Sequence, residues 1–353
     1  MIRESIQKLI CGVDLAYSEA IETMKEIMSG KATNAQIGAL LTGLRMKGET
    51  VEEITAFAKV MLENCCRIKP QVKGRLVDTC GTGGDKAKTF NVSTASAFVV
   101  AGAGVAIAKH GNRSVTSMSG SADVLERLGF NLAMAPNDVQ ESIEQIGIGF
   151  MFAPAFHPAM KFATGPRKEL GIRTVFNVLG PLANPACADA QIVGVYDRGL
   201  TIRLAEVLKK LECKEAMVVY GLDGLDEIST IGKTIISRLS DEGVKTFETT
   251  PKDFGFKHAN IEDIRGAAPD ENAEIIFKIL CGDSRSKDPK TEMVLANAAA
   301  GIIVGGEADD FSDGIELAHK SIINGAAYKK LKQLIKASNG DMSKLEELEA
   351  RYD

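Results

Sequence analysis

Apolar residues recur at helical spacing along the first 68 or so residues. Ile37, Leu40, Leu41 and Leu44 make one stripe, and Ile54, Phe57, Ala58 and Met61 make a second, which is the period of an amphipathic helix. Each stripe follows a capping signature, Thr33-Asn34-Ala35-Gln36 and Thr50-Val51-Glu52-Glu53, in which a hydroxyl and a reaching amide or carboxyl satisfy orphan backbone amides. Helices are therefore expected to begin near 34 and 51, with Gly30 and Gly48 placed to end helices in left-handed geometry. The stripes face each other, as plain core, or meet a second subunit.

Pro70 marks a boundary, and the pattern then changes. Arg75-Leu76-Val77-Asp78-Thr79 reads as a strand, residues 81–85 as a tight loop, Thr94 to Ala103 as a small-residue helix, and Val105-Ala106-Ile107-Ala108 as a second strand. Further strand candidates, Gln191 to Val195 and Ala216 to Tyr220, alternate with helical patterns such as Leu200 to Leu211, favouring a sheet covered by helices. The tail from Ala326 to Arg351 reads as terminal helices with solvated charged faces.

Composition narrows the class. With 45% hydrophobic and 25% charged residues over 353 positions, the chain is expected to fold as two domains or as one large domain with an appendage. A net charge of -5 provides no general basic field for nucleic acid or an anionic membrane. Seven cysteines without Cys-x-x-Cys spacing suit a reducing compartment, with Cys65-Cys66 read as helix packing. Absence of an uninterrupted apolar run at the start or later leads to an expectation of cytoplasmic location and no membrane partner.

Three polar constellations follow probable strands. Gly81, Gly83 and Gly84 lie between strand and helix, where glycines at positive φ can turn amides toward an anion, and Thr89, Asn91, Ser93 and Thr94 come just after, at a helix N-terminus. Ser93 or Thr94 could equally be a plain N-cap. Glu227 stands where a Walker loop at Gly232-Lys233-Thr234 needs its first glycine, and Lys86 where a dinucleotide loop needs its third, so neither a nucleotide triphosphatase nor a dehydrogenase is supported. The second constellation, Lys109, His110, Gly111, Asn112, Arg113, Ser114, Val115, Thr116 and Ser117, reads as a tight polar loop at the sheet's carboxyl edge, where open α/β folds bind ligands. In the third, Asp223-Gly224-Leu225-Asp226-Glu227, adjacent carboxylates beside a phosphate site suit magnesium shared with substrate phosphates; an exposed loop is the plain alternative.

In order, Gly81-Thr82-Gly83-Gly84-Asp85, Thr89-Phe90-Asn91-Val92-Ser93-Thr94, Lys109-His110-Gly111-Asn112-Arg113 and Gly120-Ser121-Ala122-Asp123 resemble the anthranilate phosphoribosyltransferases. The likeness continues through Phe152 to Pro158, Pro166 to Asn177, Leu179 to Pro185 and Gly224-Leu225-Asp226-Glu227, and takes in Lys47-Gly48-Glu49-Thr50 and Glu53. Lys86, Thr116 and Tyr220 depart from residues common in that family, and none removes a group the chemistry needs.

This resemblance implies an α/β fold: a small N-terminal helical domain, residues 1–70 with a helical stretch near 158–185 packing on it, and a larger α/β domain, 71–353, with a central mostly parallel sheet of the nucleoside phosphorylase and phosphoribosyltransferase kind. It implies a homodimer through the helical domain. The reaction it implies is magnesium-dependent transfer of 5-phosphoribosyl from phosphoribosyl pyrophosphate to the amine of anthranilate, in tryptophan biosynthesis. Gly81, Gly84, Asp85, Thr89, Asn91, Val92, Ser93, Thr94, the Lys109 to Ser117 run and Ser121 would bind the donor. Gly81, His110, Asn112, His157 and Arg167 would line the anthranilate route, with Ser93, Asp226 and Glu227 at Mg2+. Lys109 and Arg167 are the expected catalytic pair, although a helix-surface ion pair with Glu169 or another acid is the plainer account of Arg167. A pyrimidine nucleoside phosphorylase-like enzyme and a non-catalytic nucleic-acid-binding relative remain as alternatives.

Overall fold

Thr33 and Thr50 cap helices Asn34–Lys47 and Val51–Glu63. Gln36 and Glu53 return their side chains to the cap amides at 2.9 and 2.8 Å, so both capping boxes form as expected. Gly30 and Gly48 take φ of 72° and 87°. The structure, a computed structural model, describes residues 1–84, 89–114, 118–282 and 288–352.

The two apolar stripes pack mainly on other helices of the bundle rather than on each other. Asn34–Lys47 lies on Ile2–Ile10, and Val51–Glu63 on Tyr17–Met28. Lys161–Leu170 packs on Asn34–Lys47, and Leu200–Lys210 on Val51–Glu63. Cys65 and Cys66 fall beyond the end of Val51–Glu63 rather than on a helix; they lie in the link to the sheet, where burial pushes the Cys65 thiol up to about 11.

Seven strands follow: β1 Leu76–Thr79, β2 Ala106–Gly111, β3 Ile148–Phe152, β4 Ala190–Gly194, β5 Glu215–Gly221, β6 Thr234–Ser240 and β7 Gly243–Thr249. Their order is β3-β2-β1-β4-β5-β6-β7. The first five are mutually parallel, and β6 and β7 add an antiparallel hairpin, so the sheet is mostly parallel as expected while the hairpin was not foreseen.

Successive side chains of a strand point to opposite faces, and β5 shows the consequence. Met217 and Val219 join the core formed with helices Val92–Gly102 and Pro289–Gly305, whereas Ala216 and Val218 join the core shared with the helical bundle. Burying such a side chain contributes roughly 1.5–3 kcal/mol, so the sheet is held from both sides. The tail helix Ala326–Ala337 buries Leu331, Leu334 and Ile335 and packs on Val92–Gly102.

From β1 the sheet grows outward through β2 to β3, and from β4 through β5 in the other direction. The strand order reverses between β1 and β4. At such a switch point the loops leave in opposite directions and open a crevice at the strands' carboxyl ends.

Candidate active site at the switch point

The loop after β1 is pinned across that crevice. Thr82 donates its N–H to the Gly194 carbonyl at the end of β4, at 2.8 Å. Gly83 and Gly84 have φ of 66° and 87°, the left-handed region expected of an anion-binding turn. Gly81 does not, and is small for another reason: a Cβ there would lie 3.3 Å from the Gly194 oxygen and 3.4 Å from Asp226 Oδ2. Asp85 lies outside the described residues, as do Val115, Thr116 and Ser117.

Helix Val92–Gly102 starts at this loop. Its N-cap is Asn91, not Ser93 or Thr94, and the Asn91 side chain does not bond to the cap amides, so the positive end of the helix dipole lies at this loop. The Asn91 side chain is occupied elsewhere, donating to the Ser119 carbonyl at 3.0 Å and accepting from Asn272 at 3.1 Å. Val92 is buried, Ser93 half-buried, and the buried Thr94 hydroxyl has no protein partner. Thr89 makes an isolated bridge to Arg265.

The second constellation is only partly a loop, because β2 continues through Lys109 and His110 to Gly111. Pairing with β3 as far as Gly111 and Phe152 keeps these residues extended. Lys109 is buried; its ammonium donates to the Thr79 carbonyl and reaches Ser93 Oγ at 3.4 Å. Burial lowers its pKa, and Asp78, Cys80 and Glu227 oppose the shift. After β2 the chain turns outward. Arg113 is held by Asp123 at 3.0 Å and by Glu126 through two 2.9 Å bonds, Ser114 N–H donates to Asp123 at 2.9 Å, and Ser121 Oγ reaches the exposed Asn112 carbonyl at 3.4 Å. Arg113 thus clamps this turn to the helix Ser121–Arg127.

His110 and His157 converge with ring centroids 5.0 Å apart. His110 Nδ1 lies 3.1 Å from the Gly180 carbonyl, which can only accept, so the proton sits on Nδ1 and Nε2 carries the lone pair. Neither Nε2 has a protein partner, although both rings are buried. Burial holds His110 at about 3 and His157 at about 4, so both are neutral near pH 7. The Arg167 guanidinium stacks 5.2 Å over Phe176 and burial lowers its pKa. Among the described residues no ion pair of Arg167 with Glu169 or another acid is found, and burial is the one influence on its guanidinium.

Asp226 and Glu227 come in from the turn after β5. That turn is closed by Gly221 N–H on the Leu225 carbonyl at 2.9 Å and clamped by Asn297, which pairs with both the N–H and the carbonyl of Ile228 at 2.9 and 3.0 Å. Glu227, Ser93, Gly81, Cys80 and Asn297 line one cleft of about 250 Å³. Gly194 lets the turn approach, since a Cβ on it would fall 1.6 Å from the Asp226 carbonyl oxygen. Asn297 and Gly194 were not singled out in the sequence. A glycine ending a strand is a usable signal for close approach, whereas an asparagine inside a long apolar helix gives none for which strand it will meet.

Likeness to known families gives the class of protein, a transferase of the glycosyl kind. Residues 73–328 match the glycosyl transferase family a/b domain, and residues 3–65 the helical bundle domain of the same family. A curated anthranilate phosphoribosyltransferase from Methanocorpusculum labreanum is 53% identical over 96% of this chain and 99% of its own, and one from Acetivibrio thermocellus 50% over 97% and 98%. Among solved structures, the Thermus thermophilus anthranilate phosphoribosyltransferase superposes with a TM-score of 0.88 at 38% identity, covering 95% of this chain and 99% of that one. The Saccharomyces cerevisiae enzyme in complex with PRPP and Mg gives 0.88 at 29%, covering 96% and 98%. The chain belongs to the anthranilate phosphoribosyltransferase family. The nucleoside phosphorylase and nucleic-acid-binding alternatives are set aside by these likenesses.

Proposed function

We propose that the chain transfers 5-phosphoribosyl from phosphoribosyl pyrophosphate to the amine of anthranilate, releasing pyrophosphate, as a step of tryptophan biosynthesis. The observation that carries this is the approach of the Asp226–Glu227 turn to Gly81 and Gly194 at the switch point, with the neutral His110–His157 pair at the end of the neighbouring strand β2.

The ribose–pyrophosphate bond breaks, the amine nitrogen bonds to the same carbon, and one amine proton is lost. Anthranilate's amine is neutral and already has its lone pair free, so stabilising the departing pyrophosphate matters more than a base. The glycine amides and the Val92–Gly102 helix end hold the diphosphate, and Lys109 neutralises it from beneath. Arg167, without a carboxylate partner among the described residues, presents its planar fork to anthranilate's carboxylate. The Nε2 lone pairs of His110 and His157 accept the amine's N–H groups, which fixes the nitrogen's direction of attack.

The donor set fits magnesium. Asp226, Glu227 and Ser93 offer hard oxygens, the kind of ligand magnesium takes alongside substrate phosphates. Cys80 lines the same cleft, but burial pushes its thiol up and keeps it protonated. When bound, the ion would neutralise charge gathering on the pyrophosphate.

A homodimer through the helical bundle is part of this proposal, supported by Ile10, 70% exposed, and Met46, 83% exposed, on two helices that pack together. A surface of that kind favours a second copy of the chain. Among the described residues no helix is long and apolar enough to cross a membrane, and all seven cysteines are free, which supports a cytoplasmic setting. The test is fluorescence: anthranilate emission should disappear only when phosphoribosyl pyrophosphate and magnesium are both present. Loss without the donor, or none with both, overturns the assignment.

A further inference from the structure

The β1–β2 ladder stops early. Leu76 pairs with Ala106 and Val77 with Ile107, while β2 runs on to Gly111. Beyond the ladder the His110 N–H meets a side chain, Asp78 Oδ1, at 3.1 Å. Asp78 has 0% exposure. Its other oxygen accepts from Asn184 Nδ2 at 2.7 Å, and the same amide nitrogen donates to the Ala108 carbonyl at 2.9 Å. Asn184 Oδ1 in turn accepts the Ala186 N–H at 2.9 Å. One carboxylate and one amide therefore staple β1, β2 and the segment after helix Phe176–Leu182, the helix whose Gly180 carbonyl holds the His110 ring.

Burying a carboxylate is costly, by several kcal/mol even after relaxation, and an apolar residue would pack β1 as well as its buried neighbours do. The charge is offset by the Lys109 ammonium nearby. We infer that Asp78 and Asn184 are positioning residues for the acceptor half of the site, holding His110 by its backbone so that its ring nitrogen stays aimed at the acceptor amine. This rests on the proposed transferase function for its substrate, but not for its geometry. The donor loop is fixed separately, by Thr82 on the Gly194 carbonyl, so the staple's hydrogen bonds bear on the acceptor half, while the Asp78 charge also faces Lys109 of the donor half.

Asp78→Asn tests it. Its partners, the His110 and Thr79 backbone N–H groups and the Asn184 amide, are all donors, so whichever way the new amide turns, one donor faces another. The Michaelis constant for anthranilate should rise roughly tenfold or more, as small misplacements near a reacting atom do, and clearly more than that for the donor, which loses only the Asp78 charge facing Lys109; Asn184→Ala, which keeps that charge, should leave the donor within about twofold. Asn184→Ala, which leaves Asp78 in place, should shift in the same direction and serves if the first variant does not fold. The chain has only four histidines, so nitrogen-15 labelling of histidine gives a readout independent of turnover. The ring signals of His110 and its neighbour His157 should move in the variant, while those of His258 and His319 should stay. Equal rises for both substrates, no rise for either, or unmoved His110 signals would overturn the inference. If the wild type fails to consume anthranilate, the proposed function falls, and the histidine signals alone decide the positioning role.

Discussion

Gly194→Ala gives a direct test of how the site is assembled. Gly194 ends β4 and does not use a left-handed φ, so alanine suits the backbone there and only space decides the outcome. The new methyl would sit 1.6 Å from the Asp226 carbonyl oxygen and 2.7 Å from its carbon, far inside any tolerated contact. A main-chain carbonyl cannot swing aside as a side chain does, so the turn bearing Asp226 and Glu227 must retreat by more than an ångström. It is anchored by the Gly221–Leu225 and Ile228–Asn297 bonds, and the strain should cost about 1–3 kcal/mol. A shift of about 1 Å in a catalytic group can lower the rate roughly a hundredfold. The assay is anthranilate fluorescence against magnesium concentration, alongside a thermal melt. The variant should turn over slowly, need more magnesium and melt a few degrees lower. Wild-type turnover and magnesium response at an unchanged melting temperature would show that close approach at Gly194 does not place the carboxylates.

Arg167→Ala should raise the Michaelis constant for anthranilate roughly ten- to a hundredfold, the worth of a charged hydrogen bond, and spare the donor; equal losses would point to folding instead. Replacing Asp226 by Asn and Glu227 by Gln together should raise the magnesium needed for half-maximal activity roughly tenfold or more without unfolding the protein, and a wild-type metal response would end the assignment. Burial depresses His110 to about 3 and His157 to about 4, so stability from the neutral rings is complete above the unfolded value of 6.5 and is lost as pH falls toward the folded values. Asp78, pushed up to about 6 by burial, works with the opposite sign but as one group against two. The melting temperature should therefore fall between pH 6.5 and about 5, and His110→Asn with His157→Asn should flatten that slope; an unaltered slope would refute the burial argument. Sedimentation at micromolar concentration should give a dimer, and a monomer mass would remove the bundle interface.

Much of this was legible along the chain because it rests on short-range physics. Capping boxes act within four residues, so Thr33 and Thr50 announced their helices, and strand-then-glycine punctuation located the Gly81 to Gly84 turn and the Asp226–Glu227 turn. What the sequence could not decide depends on residues that meet only after folding. Only Asp241 and Glu242 separate β6 from β7, too few for a parallel crossover, but that the hairpin adds to the free edge of β5 is decided by the fold. Lys109 and His110 read as loop because they are polar, yet pairing with β3 keeps them in a strand. Arg113 read as a donor ligand, while Asp123 and Glu126 fold back to engage it. The small size of Gly81 and Gly194 has meaning only once β1 and β4 lie side by side and the turn from β5 closes over them. Likewise the Asp78–Asn184 bond joins positions 106 residues apart, and burial, a property of the whole fold, is what makes that carboxylate and both histidines chemically unusual.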